Sequence, residues 1–478
     1  MSTDETACQR GWMAVSAGRG IAAGLLTAAF LWLSPTFGQA RQQAPPAPVV
    51  QLAAPPLGNQ TGPPATISLL DALDRARRNS PAFQAAVSAV KQAKLSQTQA
   101  RAAMLPSLDF VTQYLNTQGN GISPVGRFVT NDGIHVYRAW GVMHQGLPST
   151  FFIDAGPRSA AYQKALAEAN EEIARRGLAV TVTLDYYGLV TAERAYAVAE
   201  KSLESARHFL ATSQSLERGG EVAHVDVIRF QLEVSQRERA LEDARLAMED
   251  ARLALGVLLF PTFNENFTVV DDLDTPPVLP AFKQAEAMAQ TQNPQLAAAM
   301  AAYRSAGLNV SVARAAFFPS LGVDLDYGIE ANAFALNSVN TTRPGVVQPN
   351  LGYFATYSLD LPIFDWGSRL SKLRQAEDQR DLERLSLSFA QRQMVSQLYS
   401  FYNEAAVAWN QLTSLRHSAD LAAQNYQLVS MQYSAGTAQV LQVLDAETAL
   451  DQARISFAAG EARYRNALAT LQTLTGSF

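Results

Sequence analysis

The 478-residue chain has one cysteine, Cys8, and five histidines. A single thiol excludes a disulfide framework and any multi-thiolate metal site. The histidines never fall at H-x-x-x-H or H-E-x-x-H spacing, so a catalytic zinc has no ligand set. Also missing are a G-x-S-x-G elbow, a Walker loop and a dinucleotide-binding glycine fingerprint. No enzyme constellation and no cofactor are therefore expected. Acids exceed bases by only 43 to 38, a net charge of −5 dispersed along the chain, which speaks against a nucleic-acid partner. Proline is absent between Pro157 and Pro261 and again after Pro362. Beyond the N-terminal region no run is long and apolar enough to cross a bilayer as a helix.

What is present begins with Gly20 to Leu33 (GIAAGLLTAAFLWL), an apolar run preceded by Arg10 and Arg19 and followed by the small-x-small pattern Gly38-Gln39-Ala40. This predicts a cleavable signal peptide over residues 1–40, too short for a spanning anchor. Cys8 lies before the apolar run, not after it as a lipid-anchoring cysteine would. Residues 41–66 carry seven of the 22 prolines and read as a disordered leader. An exported chain without a spanning helix is secreted, periplasmic, or inserted in a membrane as strands.

The body is a tandem repeat. Residues 81–114 overlay 294–327 without a gap at an offset of 213, with 14 of 34 positions identical. The shared string A-R-A-A-x-x-P-S-L, at Ala100–Leu108 and Ala313–Leu321, is not a product of alanine-rich composition. Asp154-Ala155-Gly156 and Asp365-Trp366-Gly367 align at an offset of 211, and Gly220 and Gly436 at 216. The expected organisation is repeat 1 over 67–260, a connector over 261–281, and repeat 2 over 282–475. Each repeat runs helix, strand, loop, strand, very long helix, glycine turn, helix.

The proline-free stretches are rich in good helix formers, predicting long helices over 158–218 and 368–434 and shorter ones over 221–259 and 437–474. Val227, Phe230, Val234, Arg237, Leu241, Ala244, Met248, Ala251, Leu255 and Leu258 alternate steps of three and four. Adding 216 gives Val443 through Leu474, again apolar or small throughout, so Arg237 alone breaks the seam. That is a coiled-coil pattern held for more than four heptads.

Strands are expected at about 107–117, 134–148, 320–330 and 352–362. Leu321, Val323, Leu325, Tyr327 and Ile329 alternate with Gly322, Asp324, Asp326 and Gly328, the period of two of a half-buried strand. The strand near 134–148 alternates poorly, and Arg138 and His144 leave its register open. Four strands cannot close a barrel; three copies would supply twelve, within the membrane-barrel range. Asp324, Asp326 and Asp360 are candidate pore-lining residues that would bias such a pore towards cations. The fold class is thus mainly α with a small β part, in two tandem repeats.

Together with Leu361-Pro362-Ile363-Phe364-Asp365-Trp366-Gly367 and the Gly436 to Glu447 run, these features resemble the outer-membrane efflux protein family, over about residues 66–474. The resemblance implies a homotrimer in the Gram-negative outer membrane, with a 12-strand β-barrel in lipid continuing into a 12-helix α-barrel in the periplasm. It further implies a passive exit duct for efflux or type I secretion, energised by an inner-membrane transporter (ABC or proton-driven) through a periplasmic adaptor. The adaptor-docking tips would be Arg218-Gly219-Gly220 and Ser434-Ala435-Gly436. No aspartate immediately precedes Gly436, where TolC-like channels can carry an acidic ring; Glu217 and Glu221 are the nearest acids, as candidate pore-lining groups or solvated helix-end charges. The alternative is a periplasmic coiled-coil adaptor or scaffold without a pore. Cargo is not readable.

Overall fold

The structure is a computed structural model that describes residues 64–116, 135–261, 266–331, 334–339, 345 and 347–476. All belong to one unit, residues 60–478. The expected signal peptide and nearly all of the expected leader lie outside the described residues. The leader nonetheless stops short of residue 66. Strand β1 (Ala65–Ile67) pairs in parallel with β4 (Phe267–Val269). Its Ile67 is wholly buried, and burying a branched aliphatic side chain fixes a backbone that a proline-rich leader would leave loose.

Local capping sets the next helices. Ser68 opens α1 (Leu69–Asn79) with a capping box: its hydroxyl accepts the Asp71 N–H at 3.2 Å, and the Asp71 carboxylate accepts the Ser68 N–H at 3.3 Å. Helix α2 (Pro81–Ala102) starts on a proline, which has no N–H to leave unsatisfied. Helices α5 (Phe282–Gln292) and α6 (Pro294–Ala315) repeat this pair 213 residues on, with Asn293 capping Leu296 at 3.0 Å.

Four strands form one antiparallel sheet. They are β2 (Ser107–Asn116), β3 (His135–Leu147), β5 (Ser320–Ala331) and β8 (Leu351–Asp360), in the order β2-β3-β5-β8. Among the described residues no strand pairs with the outer edges of β2 and β8. Between β5 and β8 a small ladder joins β6 (Asn337–Val339) to β7 (Val347–Pro349). Beyond the sheet run α3 (Ala155–Gly219, 65 residues) and α7 (Ser368–Ser434, 67 residues). At 1.5 Å per residue each is about 100 Å long. They turn back into α4 (His224–Leu259) and α8 (Val440–Thr475), 36 residues each.

Two expectations about the joints need correction. The returning helices begin later than residues 221 and 437. The backbone first leaves through left-handed Gly220 and Gly436 and then passes through extended Ala223 and Gln439 before helical geometry resumes. Asp154 also does not correspond to Asp365. The left-handed residue at the cap of α3 is Asp154; before α7 both Trp366 and Gly367 are left-handed, and Gly367 holds the cap position, again an offset of 213. Asp365 works as a preceding cap, accepting the N–H groups of Gly367 (3.2 Å) and Arg369 (2.8 Å).

One core lies at the level of β1 and β4, where Tyr186, Tyr187, Leu189, Leu255, Leu259, Phe267 and Leu273 are buried together. The Tyr186 hydroxyl donates to the Val270 carbonyl (2.7 Å), anchoring the connector to α3. Buried Arg176 donates to the carbonyls of Thr473 (2.7 Å) and Gln292 (2.9 Å), capping the last turns of α8 and α5. A second core lies beneath the tips, where Phe209, Phe230, Tyr433, Val440 and Val443 knit the two hairpins together.

Candidate functional site

The pairing register sorts the sheet into two chemically different faces. One carries Leu108, Phe110 and Tyr114 of β2, Leu321, Leu325 and Tyr327 of β5, and Tyr353, Tyr357 and Leu359 of β8. These apolar groups are largely open, with Leu108 at 78% and Tyr353 at 83% exposure. At the strand–helix junctions Phe152, Phe318, Ile363, Phe364 and Trp366 are exposed as well. An apolar band bordered by aromatic residues is the outward surface of a membrane strand set. Among the described residues no helix is long and apolar enough to cross a membrane.

The opposite face is polar. Here β3, whose register the sequence left open, is resolved by its charges. Arg138 stands opposite Glu330 and His144 opposite Asp324. The Arg138 guanidinium donates to the Glu330 carboxylate at 2.7 and 2.9 Å and to Gln113 at 3.1 Å, and His144 contacts Asp324 directly. The two residues that spoiled the alternation are the partners of acids on the neighbouring strand. Asp324 and Asp326 thus share a face and a strand. Asp360 lies at the far end of β8, opposite Ser320.

Glu217 and Glu221 are not near this set; they lie at the other end of α3. Glu217 pairs with His224 across the turn at 2.7 Å. Arg218 bonds its own helix at the Gln214 carbonyl (3.2 Å), and Ser434 does likewise at Ser430 (3.0 Å). The Gly220 and Glu221 N–H groups close the end of α3 on Glu217 and Leu216, both at 2.9 Å. Arg218, Gly219, Gly220, Ser434, Ala435 and Gly436 are all exposed. The tips are therefore rigidly capped turns with free outer surfaces.

About two to three turns above the tips lies a charged cluster that the heptad pattern marked only through Arg237. That residue donates to Glu233 (2.6 Å), Asp451 (3.1 Å) and Thr448 (3.1 Å), bridging α4 and α8. Close by, Glu447 is 2% exposed, and burial raises its carboxyl from the ordinary value of 4.5 to about 7, against the opposing pull of Ser205 and Arg237. Burial also pushes the Asp451 carboxyl upward. At the first core, Arg194 gathers Asp271 (2.5 Å), Asp274 (3.0 Å) and the buried Glu461 (2.8 Å), tying the connector to α3 and α8. Among the described residues no cluster of histidine, cysteine or acidic groups is arranged to hold a metal.

Comparisons with known proteins agree with this geometry. The family model described as outer membrane efflux protein matches residues 287–477. The alkaline protease secretion protein AprF of Pseudomonas aeruginosa is 25% identical over 427 residues, 86% of this chain and 84% of that protein. The pyoverdine export outer membrane protein OpmQ of Pseudomonas putida is 24% identical over 401 residues, covering 80% of each. In fold, the open-state MtrE outer membrane channel of Neisseria gonorrhoeae aligns with a TM-score of 0.70 at 20% identity, over 85% of this chain and 88% of that one. Residues 287–477 thus resemble the outer membrane efflux protein family, and the chain has the fold of TolC-like outer membrane channels.

Proposed function

We propose that this chain is one third of a passive exit duct through the outer membrane. The observation that carries the reading is the sheet: four strands, one apolar face, one polar face and, among the described residues, two edges without a partner strand. In lipid an unpaired strand edge has no water to satisfy it, so the sheet must close with copies of itself, apolar face outward. Three copies give a twelve-stranded barrel with a polar lumen. The helices offer matching open stripes. Val225, Ile228 and Leu232 of α4 and Leu382, Leu385 and Phe389 of α7 step by three and four residues and stay exposed within one chain. A pore-less scaffold would have no use for the apolar sheet face.

Energy comes from elsewhere, since the sequence has no nucleotide-binding motif. An inner-membrane transporter working through a periplasmic adaptor supplies it, and the adaptor meets the capped tips at Arg218–Gly220 and Ser434–Gly436. The named relatives serve protease secretion and pyoverdine export, so cargo in this fold ranges from polypeptides to small molecules. Reconstitution in planar bilayers tests the duct: steady ohmic current from the purified protein supports it, and electrical silence under all conditions refutes it.

A further inference from the structure

Within the polar face, the three acids of β5 are not equivalent. Glu330 has Arg138 opposite, and Asp324 has His144. Asp326, between them, faces Val142 on one side and Phe354 on the other. It is only 7% exposed, yet among the described residues no hydrogen bond or ion pair reaches it. Strand β3 places a basic side chain opposite each of the neighbouring acids but only Val142 opposite Asp326, whose carboxylate opens onto a cavity instead.

The space around Asp326 is shaped. A cavity of about 140 Å³ is lined by Asp326, Glu330, Trp140, Phe354 and the bare backbone at Gly328 and Gly352. Trp140 and Phe354 meet edge to face with ring centroids 5.3 Å apart. Their meeting depends on Gly328, where a Cβ would come within 2.1 Å of the Ala139 carbonyl oxygen and 2.7 Å of Trp140. The Trp140 ring already carries one guanidinium, with Arg138 Cζ 5.2 Å from its centroid. A buried acid beside an aromatic wall is the arrangement that receives organic cations, whose positive charge is attracted by both.

We infer that each chain carries a lumenal subsite for an organic ammonium or guanidinium group, with Asp326 as counter-ion and Trp140 and Phe354 as walls. This rests on the duct reading, because it requires the polar face to line the pore. Cargo bearing such groups, whether amphiphilic amines or lysine and arginine side chains, would pause there three times per ring. In a channel such sites must be weak enough to release what they bind.

The test is current block of the reconstituted full-length protein by benzyltrimethylammonium in about 0.1 M KCl, where screening is moderate. The expected result is block of the wild type, with Asp326→Asn raising the half-blocking concentration by about tenfold or more, while KCl current persists. Trp140→Leu is expected to raise it by several fold, with Trp140→Phe largely restoring block; this pair carries the test if the Asp326 variant fails to assemble. Equal block in wild type and variants, or no block of an intact KCl current, overturns the inference and leaves the duct standing. Block by sodium matching that by the organic ion would also overturn it. Absence of any current in the wild type brings down the duct reading, and the subsite with it.

Discussion

Helices α4 and α8 are the same length and related by duplication, yet they live in different surroundings. In α8 the seam residues Val443, Ala446, Leu450, Tyr464, Ala467, Leu471 and Leu474 are buried. In α4 burial of the matching seam holds only near its ends, at Val227, Phe230 and Leu255. The reason is packing. Helix α8 packs along α7, α3 and α5, whereas α4 packs along α3, touches α1 and meets α8 through side chains such as Phe230 and Arg237. Duplication kept the heptad pattern, and position in the chain decided which copy fills its own groove and which keeps a face for another molecule. The lesson is that a coiled-coil seam declares that a helix will pack, not against which chain.

The sharpest way to break this comparison is a matched pair of truncations. Tyr464 is fully buried and its hydroxyl donates to the Pro277 carbonyl at 2.6 Å; Tyr464→Ala is expected to cost about 3–5 kcal/mol in denaturant unfolding. Its α4 counterpart, Met248→Ala, is expected to cost about 1–2 kcal/mol, because that side chain is only partly buried. Equal losses would mean the two helices are equally packed.

Next comes Arg237, which stands where the repeat has Ala453. Arg237→Ala leaves Glu233 and Asp451 facing each other without a cation, at an expected cost of about 2–4 kcal/mol. The triple change Arg237→Leu, Glu233→Gln, Asp451→Asn is expected to recover most of it, and thermal unfolding reads both.

Glu447 gives a smaller, pH-dependent effect. Its carboxyl holds a proton in the folded chain up to about 7 but releases it near 4.5 when unfolded. Stability from the neutral acid is therefore full below pH 4.5 and is lost as pH rises towards 7. Glu447→Gln should flatten that slope and stabilise the protein at pH 8, by up to about 3 kcal/mol per chain at 1.36 kcal/mol per unit. Unfolding curves at pH 5 and pH 8 check it; a variant with the wild-type slope contradicts it.

The smallest effect on the fold should come from the open stripes. Leu232→Glu or Leu385→Glu is expected to change the stability of the single chain by less than about 0.5 kcal/mol. The same changes should lower the trimer fraction in detergent, as read by light scattering.

Much of this was legible because duplication wrote it twice. The A-R-A-A-x-x-P-S-L strings located α2 with β2 and α6 with β5, and the glycines at 220 and 436 located the tips. The joints were less legible. Asp-x-Gly looked like one motif in two places, but only backbone handedness shows that Asp154 and Gly367 do the same job. The polar face was legible in β5 and obscure in β3, since a charge on a strand reads as disruption until the partner strand is placed. Arg138 and His144 became informative once they stood opposite Glu330 and Asp324, and Trp140 gained meaning only beside Phe354. A signal existed in the even spacing of 138, 140 and 144, the same parity that separates the faces of any strand. Burial of Glu447 was not readable, since its neighbours come from three other helices.

The central claim is that one chain cannot seal its own sheet and that sister copies supply the missing edges. Native mass measurement of the detergent-solubilised protein addresses this directly. The account predicts a single species of three chains, held together until the detergent micelle is stripped and the protein denatured. A stable, folded, monodisperse single chain would contradict it.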